Sequence, residues 1–325
     1  MYNQTDAILS QYEIEVNEVV KGRGSYICST NQGMKVLLPF SGSKEKGEFL
    51  RTYLNLLQEN GFIVEQIMAN AKGEAITEEE GTGERFLLKD YFPGIELNTG
   101  QITEMEEAVA LLANYHKVSQ MVQNCVPERM KESIGNVIDS RQRHYRELVK
   151  VKNYIKNRKK KNEFEQIYMK HFLPMLVTAE ASMKELEKIS QKNPKCDICH
   201  GEFNQHNVIY RENKWYMVNF ENFMYSWSVM DLANFLRKML EKTSWDTALG
   251  MRLIEVYDKH YSLSKEDMCQ LYGLLLFPEK FWKITNHYIN SRKAWISGRD
   301  IDKLKKVIEQ EQARLNFMEN LFKKL

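Results

Sequence analysis

The 325-residue chain is short of the features that mark most special classes of protein. It has only 6 prolines and no low-complexity tract, so neither a large disordered segment nor a fibrous repeat is expected. No apolar run approaches the roughly 20 residues of a membrane helix, so membrane insertion is not expected. The opening "MYNQTDAILSQYEIEV" has no basic stretch followed by an apolar core, so no secretory signal is expected. Lys and Arg number 46 against 44 Asp and Glu, a net charge of +2, which offers no electrostatic case for nucleic acid or a membrane surface. The five cysteines are odd in number and scattered, which argues against a disulfide framework. What remains is a globular composition, 43% hydrophobic and 28% charged, sufficient for one large or two modest domains and suited to a cytosol.

One short motif needs weighing against that background. "CDICH", Cys196 to His200, matches the C-x-x-C-H pattern of c-type haem attachment. Such attachment accompanies export, and no export signal is present. A redox pair or half a zinc site are alternatives, but zinc needs two more ligands and no second CxxC or HxxxH follows. The plainer reading is a pair of small buried residues on a strand.

The first hundred residues have strand character. "YEIEVNEVVKGRGSYICST" alternates and breaks at Gly22 and Gly24; "GMKVLLPF" is an apolar run between turns; "AITEEEGTGERFLLKDYF" reads as two strands about a Gly-Thr-Gly turn. Between them, Phe49, Leu50, Tyr53, Leu56 and Leu57 share a helical face, with Ser43 as N-cap and Gly61 as stop. After Asn98 the pattern becomes mainly helical. In the last helix Ile301, Leu304, Ile308, Leu315, Met318 and Phe322 form one stripe, expected to be core. Phe281, Trp282, Tyr288 and Trp295 crowd one region; most are expected in the core, with one or two lining a substrate-side groove of the helical segment. The basic run from Lys152 to Glu163 reads as a solvated turn. A boundary near Lys89–Gly94 is expected, giving a β-rich segment 1–90 and a helical segment 91–325.

The segment "HGEFNQHNVIYRENKWYMVNFENF", His200 to Phe223, has the spacing of a phosphotransferase catalytic segment. The reference pattern is H-G-D-x-x-x-x-N, then a hairpin, then a metal-binding Asp in D-F-D or D-F-E. Here the pattern reads His200-Gly201-Glu202, Asn207, a hairpin turning at Glu212-Asn213, and Asn219-Phe220-Glu221. Asp231-Leu232-Ala233 follows where aminoglycoside and choline kinase relatives carry a "DLA" helix start. Elsewhere along the chain, "YFPGIELN", "LLANYHKVS" and "LLFPEKFWKITNHYINSRKAW" resemble the CotS family of spore coat proteins, within the aminoglycoside phosphotransferase-like superfamily. The resemblance implies an α+β, bilobal protein-kinase-like fold: a small β-rich N-lobe with one helix and a large, mainly α-helical C-lobe. It also implies synthesis in the mother-cell cytoplasm, deposition in the spore coat, and other spore coat proteins as partners.

That resemblance gives each exchange a chemical meaning. Glu202 stands where an Asp orients the acceptor hydroxyl, one methylene longer. Asn207 is retained and could give one oxygen to Mg²⁺. Asn219 offers a neutral amide where a carboxylate is expected; Glu221 compensates only if, as on a strand, it faces the same side. Leu38 takes the place of the phosphate-gripping Lys of G-x-x-x-L-K, and Lys35, three residues away, faces the other side. Gly22, Gly24, Leu38 and Lys89 are the positions expected to border a nucleotide, with Lys21 beside the glycine turn. Glu48, lacking a lysine opposite, reads as a surface acid. Asp231 is expected to cap its helix and His200 to hold loop backbone.

With three of four charge-bearing positions altered, the expectation is a spore coat assembly protein with a pseudokinase fold and no cofactor. The alternative is an atypical phosphotransferase with an alcohol acceptor, using ATP and Mg²⁺ with Glu202 as base and Asn207, Asn219 and Glu221 near the metal. A small-molecule ligand in the cleft is compatible with either reading.

Overall fold

A computed structural model describes residues 2–131, 136–190, 196–291 and 298–325. The elements in chain order begin with α1 (Tyr2–Leu9), β1 (Val16–Lys21), β2 (Tyr26–Thr30), β3 (Gly33–Pro39), α2 (Lys44–Glu59), β4 (Thr77–Glu78), β5 (Arg85–Asp90) and β6 (Ile95–Glu96). Then follow α3 (Ile102–Ser119), the single turn α4 (Glu128–Lys131), α5 (Asn136–Lys156), α6 (Glu163–Ser190), β7 (Cys196–Cys199), β8 (Val208–Arg211), β9 (Lys214–Met217) and β10 (Met224–Trp227). Helices α7 (Val229–Lys242), α8 (Thr247–His260), α9 (Lys265–Leu276), α10 (Glu279–Asn290) and α11 (Gly298–Phe322) complete the chain. No helix among the described residues is long and apolar enough to cross a membrane.

The chain forms two compact units that interleave in sequence. The first comprises Met1–Glu104, Lys117–Pro127 and His200–Phe223. Its main sheet has the order β1-β2-β3-β5-β4, with every neighbouring pair antiparallel. Alternation along β3 and β5 sorts side chains to two faces. Leu37 and its partner Leu88 lie on the face covered by α1, packed with Ile8, Leu9, Tyr12, Cys28 and Phe86. Val36, Leu38, Leu87 and Lys89 therefore share the opposite face.

Helix α1 is a second helix of this unit, unanticipated because its eight residues begin with the polar run Tyr2-Asn3-Gln4-Thr5. Helix α2 starts where expected: the Ser43 hydroxyl accepts from the Lys46 N–H, and Gly61 ends the turn at φ 85°. The hairpin β8–β9 turns on Glu212 and Asn213, both at positive φ, 53° and 60°, which matches the twist of its strands. Strand β8 is also paired with β6. Only glycine fits at position 94, where a Cβ would lie 2.2 Å from Ile209 Cγ2.

The second unit comprises Met105–His116, Glu128–Cys199 and Met224–Leu325. Its core packs α5, α6, α10 and α11 around Phe164, Tyr168, Phe281 and Leu304. The basic stretch 157–162 is the exposed connection of α5 to α6, apart from partly buried residues at its end. The aromatic residues divide as follows: Phe281 is buried, Trp282 stacks on His144, and Tyr288 bonds Glu165; Trp295 lies outside the described residues.

The stripe of α11 differs from the expected one in its second half. Leu315 and Phe322 are exposed, whereas Arg314, Phe317, Met318 and Leu321 are buried. Arg314 explains the rotation, since its guanidinium reaches inward to the carbonyls of Leu275 and Leu276. Its stem is buried while its polar head is fully engaged.

Candidate functional site

The loop after β7 is built on backbone bonds to polar side chains. His200 is buried; its Nε2 lies 3.0 Å from the Val218 carbonyl, and its Nδ1 accepts from the Glu202 N–H. That pairing assigns the proton to Nε2. The amides of Asn204 and Asn207 both donate to the Glu202 carbonyl, at 2.6 and 2.9 Å. Asn207 is thus a buried brace of the loop, and the backbone of Glu202 is fixed while its side chain is exposed.

The hairpin delivers Asn219 next to this loop within the same unit. Asn219 lies in the left-handed region at φ 68°, ψ 57°, a conformation asparagine tolerates better than most residues. Residues 220–222 then form a 3₁₀ turn. The expected strand at 219–221 is absent, so alternation is not what brings Asn219 and Glu221 together. The turn does so: both side chains bond the ammonium of Lys89.

Lys89 is the centre of the site. Its Nζ is 3.0 Å from Glu65 Oε1 and 3.1 Å from Asn219 Oδ1, and it also bonds the Glu221 carboxylate. Lys89 and Glu65 are almost fully buried, at 2% and 1% exposure. Burial alone would drive the Lys89 ammonium down, but Glu65 and Glu221 outweigh it and hold it above the ordinary lysine range. Burial pushes the Glu65 carboxyl upward and Lys89 opposes this. Both Glu65 oxygens accept N–H groups, from Lys89 and from the backbone of Asn219 and Phe220 at 2.7 to 3.0 Å, which is the pattern of an ionised carboxylate.

Glu65 was not singled out from the sequence. The available signal was an acid inside the apolar run Phe62-Ile63-Val64-Glu65-Gln66-Ile67-Met68. Such an acid is buried only if it has a partner.

The remaining predicted positions separate. Leu38 lies on the same sheet face as Lys89, two residues along the neighbouring strand. Lys35 lies on the other face and pairs with Asp90 at 2.6 Å. Gly22 and Gly24 belong to a tight turn in which the Gly22 N–H donates to the Ser25 carbonyl, with Gly24 at φ 77°. Glu48 is not a simple surface acid: Oε1 accepts the Ala75 N–H at 2.6 Å and Oε2 pairs with Arg51.

In the second unit, Asp231 is fully buried near the start of α7 and receives His116 Nε2 at 3.3 Å, while His116 Nδ1 meets the Tyr257 hydroxyl at 2.7 Å. Cys199 lies close to both His116 and Asp231. Its thiol donates to the Trp227 carbonyl at 3.3 Å, and burial pushes it well above the ordinary range. Cys196 is pushed up to about 12, mainly by burial. Both cysteines sit buried on β7, three residues apart and so on opposite faces. Inert thiols of this kind are packing residues.

The chemistry implied by the motif spacing includes a divalent cation, and the residues as arranged do not fit one. The Asn207 Oδ1 accepts from Asn219 Nδ2 at 2.8 Å. Asn219 Oδ1 and Glu221 are engaged by Lys89. Mg²⁺ requires near-octahedral oxygen ligation, and an ammonium already stands among these oxygens.

Strand-rich sheet, connecting β6–β8 pairing and loop-hairpin segment together define a kinase-like phosphotransferase fold. Among solved structures, the chain is similar to an aminoglycoside phosphotransferase from Alicyclobacillus acidocaldarius, with a TM-score of 0.82 and 17% identity over 98% of this chain and 95% of that one. It is also similar to a spectinomycin phosphotransferase solved with ADP and spectinomycin (TM-score 0.66, 12% identity, 97% and 98% covered). A choline kinase from Cryptosporidium parvum matches with a TM-score of 0.52 and 12% identity, over 96% and 90% of the two chains. These likenesses establish the fold.

The chain belongs to the family described as "Spore coat putative kinase YutH", which matches residues 5–321. It is also similar to spore coat protein S of Bacillus subtilis, 23% identical over 328 residues, covering 97% of this chain and 92% of that one. The spore coat resemblance read from the sequence is therefore correct.

Proposed function

We propose that this chain is a component of the spore coat whose kinase-like fold serves assembly with other coat proteins and does not transfer phosphate. Family membership and the likeness to spore coat protein S support the location. The observation that carries the loss of transfer is the state of the charges. Leu38 puts an aliphatic side chain on the sheet face where the phosphate lysine is expected, and Lys89, on the same face, is held by two carboxylates. Phosphoryl transfer depends on positioning and on positive charge directed at the moving group. With Leu38 aliphatic and Lys89 engaged, these two positions supply little of that stabilisation.

Titration calorimetry with ATP, with and without Mg²⁺, tests this reading together with an ATP-consumption assay over sugars, amino alcohols and aminoglycosides. Absence of binding heat and of turnover is the expected result. Steady ATP consumption with any hydroxyl acceptor would overturn it. One observation favours the second reading, an atypical small-molecule kinase: the Glu202 carboxylate is exposed on a loop whose backbone is firmly held. On that reading Glu202→Gln abolishes turnover.

A further inference from the structure

We propose that Lys89 is a resident cation standing in for the divalent ion of the phosphotransferase scheme, and that Asn219 is the matched exchange that makes this substitution stable. The inference deepens the non-transferring reading and rests on it. Its test reads ion binding and thermal stability, so the two can fail separately.

The first support is stoichiometric. A lysine ammonium carries three N–H donors and no acceptor. Around Lys89 there are three oxygens in bonding range, one each from Glu65, Asn219 and Glu221. Each donor has its acceptor, and the site is saturated.

Charge gives the second support. Two carboxylates, Glu65 and Glu221, with the Lys89 ammonium leave one net negative charge. An aspartate at 219 would make three carboxylates, and a divalent ion among them would also leave one net negative charge. Exchanging ion and aspartate for lysine and asparagine is therefore neutral overall. Either exchange alone is not: aspartate with Lys89 leaves two net negative charges, and asparagine with a divalent ion leaves none.

The amide itself gives the third. Asn219 uses both ends of its side chain, accepting from Lys89 through Oδ1 and donating to Asn207 Oδ1 through Nδ2. A carboxylate at 219 has no proton to offer Asn207. Asn207 cannot simply turn over to supply one, because its own Nδ2 is spent on the Glu202 carbonyl. The chain Lys89–Asn219–Asn207–Glu202 carbonyl therefore runs in one donor direction and is consistent only with an amide at 219. Lys89 lies 130 residues from Asn219 in sequence, so this match is invisible in either segment by itself.

The test is electron paramagnetic resonance titration with Mn²⁺, paired with thermal unfolding in the same ion. The wild-type protein is expected to take up no Mn²⁺ at this site up to millimolar ion and to show no change in Tm. The double variant Lys89→Met/Asn219→Asp is expected to bind one Mn²⁺ at least tenfold more tightly and to gain Tm as the ion is added. A wild-type chain that binds one Mn²⁺ and loses it in Asn219→Ala overturns the proposal, as does a folded double variant that binds none. Should the double variant not fold, Asn219→Asp alone decides. Its Tm is expected to fall and to stay low with Mn²⁺, because Lys89 still fills the position; recovery with Mn²⁺ would refute the assignment.

Discussion

Two polar clusters invite comparison. In the first unit, Lys89, Glu65 and Glu221 meet Asn219, a position at which the chain departs from the phosphotransferase pattern. In the second, Asp231, His116 and Tyr257 meet where the pattern is kept, at the "DLA" start of α7. The first is deeply buried at Lys89 and Glu65 but reaches solvent at Asn219, which is exposed, whereas all three residues of the second are fully buried. The difference lies in what each position does in an active relative of this fold. Asp231 meets a buried histidine, and its pattern stands. Asn219, Leu38 and Glu202 differ from the pattern at the places that the proposed reading assigns to contact with metal, phosphate and acceptor. On the reading proposed above, the fold keeps the part of the constellation that holds it together and rebuilds the part that would react.

The largest expected effect tests whether the rebuilt cluster stabilises the fold. Lys89→Met leaves Glu65 and Glu221 without their cation and should lower unfolding free energy by about 3–5 kcal/mol at pH 8, measured in urea. Burial already raises the Glu65 carboxyl, and removal of Lys89 raises it further. The folded variant then binds a proton that its unfolded chain does not, so its stability falls as pH rises. The deficit should therefore shrink between pH 8 and pH 5. A deficit that does not change with pH would show that the carboxylates are not what the lysine balances.

A buried ion pair unrelated to the kinase pattern gives a control. Glu279 pairs with Arg141 and Lys283. Burial opposes its ionisation, but Arg141 and Lys283 outweigh this and lower its carboxyl from 4.5 to about 2. A depressed carboxyl contributes stability above its unfolded value and loses it as pH falls through the folded one. Between about pH 4.5 and pH 2 the wild type should lose about 3 kcal/mol that Glu279→Gln does not lose. Acid unfolding followed by circular dichroism reads this directly.

Asp231→Ala should remove about 2 kcal/mol by leaving His116 Nε2 buried without its acceptor. A larger loss than from Lys89→Met would mean that the kept cluster dominates stability. The smallest effect belongs to Glu202→Gln. Its side chain is exposed, so stability should change by less than about 0.5 kcal/mol. Any ATP consumption abolished by that change would move the chain into the catalytic class and break the contrast drawn above.

Much of this was legible from spacing. Ser43 and Gly61 bracket α2 because capping and left-handed stops are local. Glu212-Asn213 marks its hairpin for the same reason. The exchanges at 38, 202 and 219 stand out because the pattern has fixed offsets. What spacing could not supply was the partner of Lys89. Glu65 is 24 residues away and Glu221 132, and only the folded chain brings them to one ammonium. The rotation of α11 was hidden likewise, since a buried arginine reads as polar in any hydrophobic pattern until its carbonyl partners are known.

A metal held in a site of this kind comes and goes with the solution around it. The ammonium of Lys89 is tethered to its ligands by the polypeptide and keeps a fixed effective concentration beside them. It cannot be drawn off by a chelator, diluted away, or exchanged for a competing ion. The segment from His200 to Phe223 thus keeps its anchorage to the sheet through a bond that needs no supply of metal.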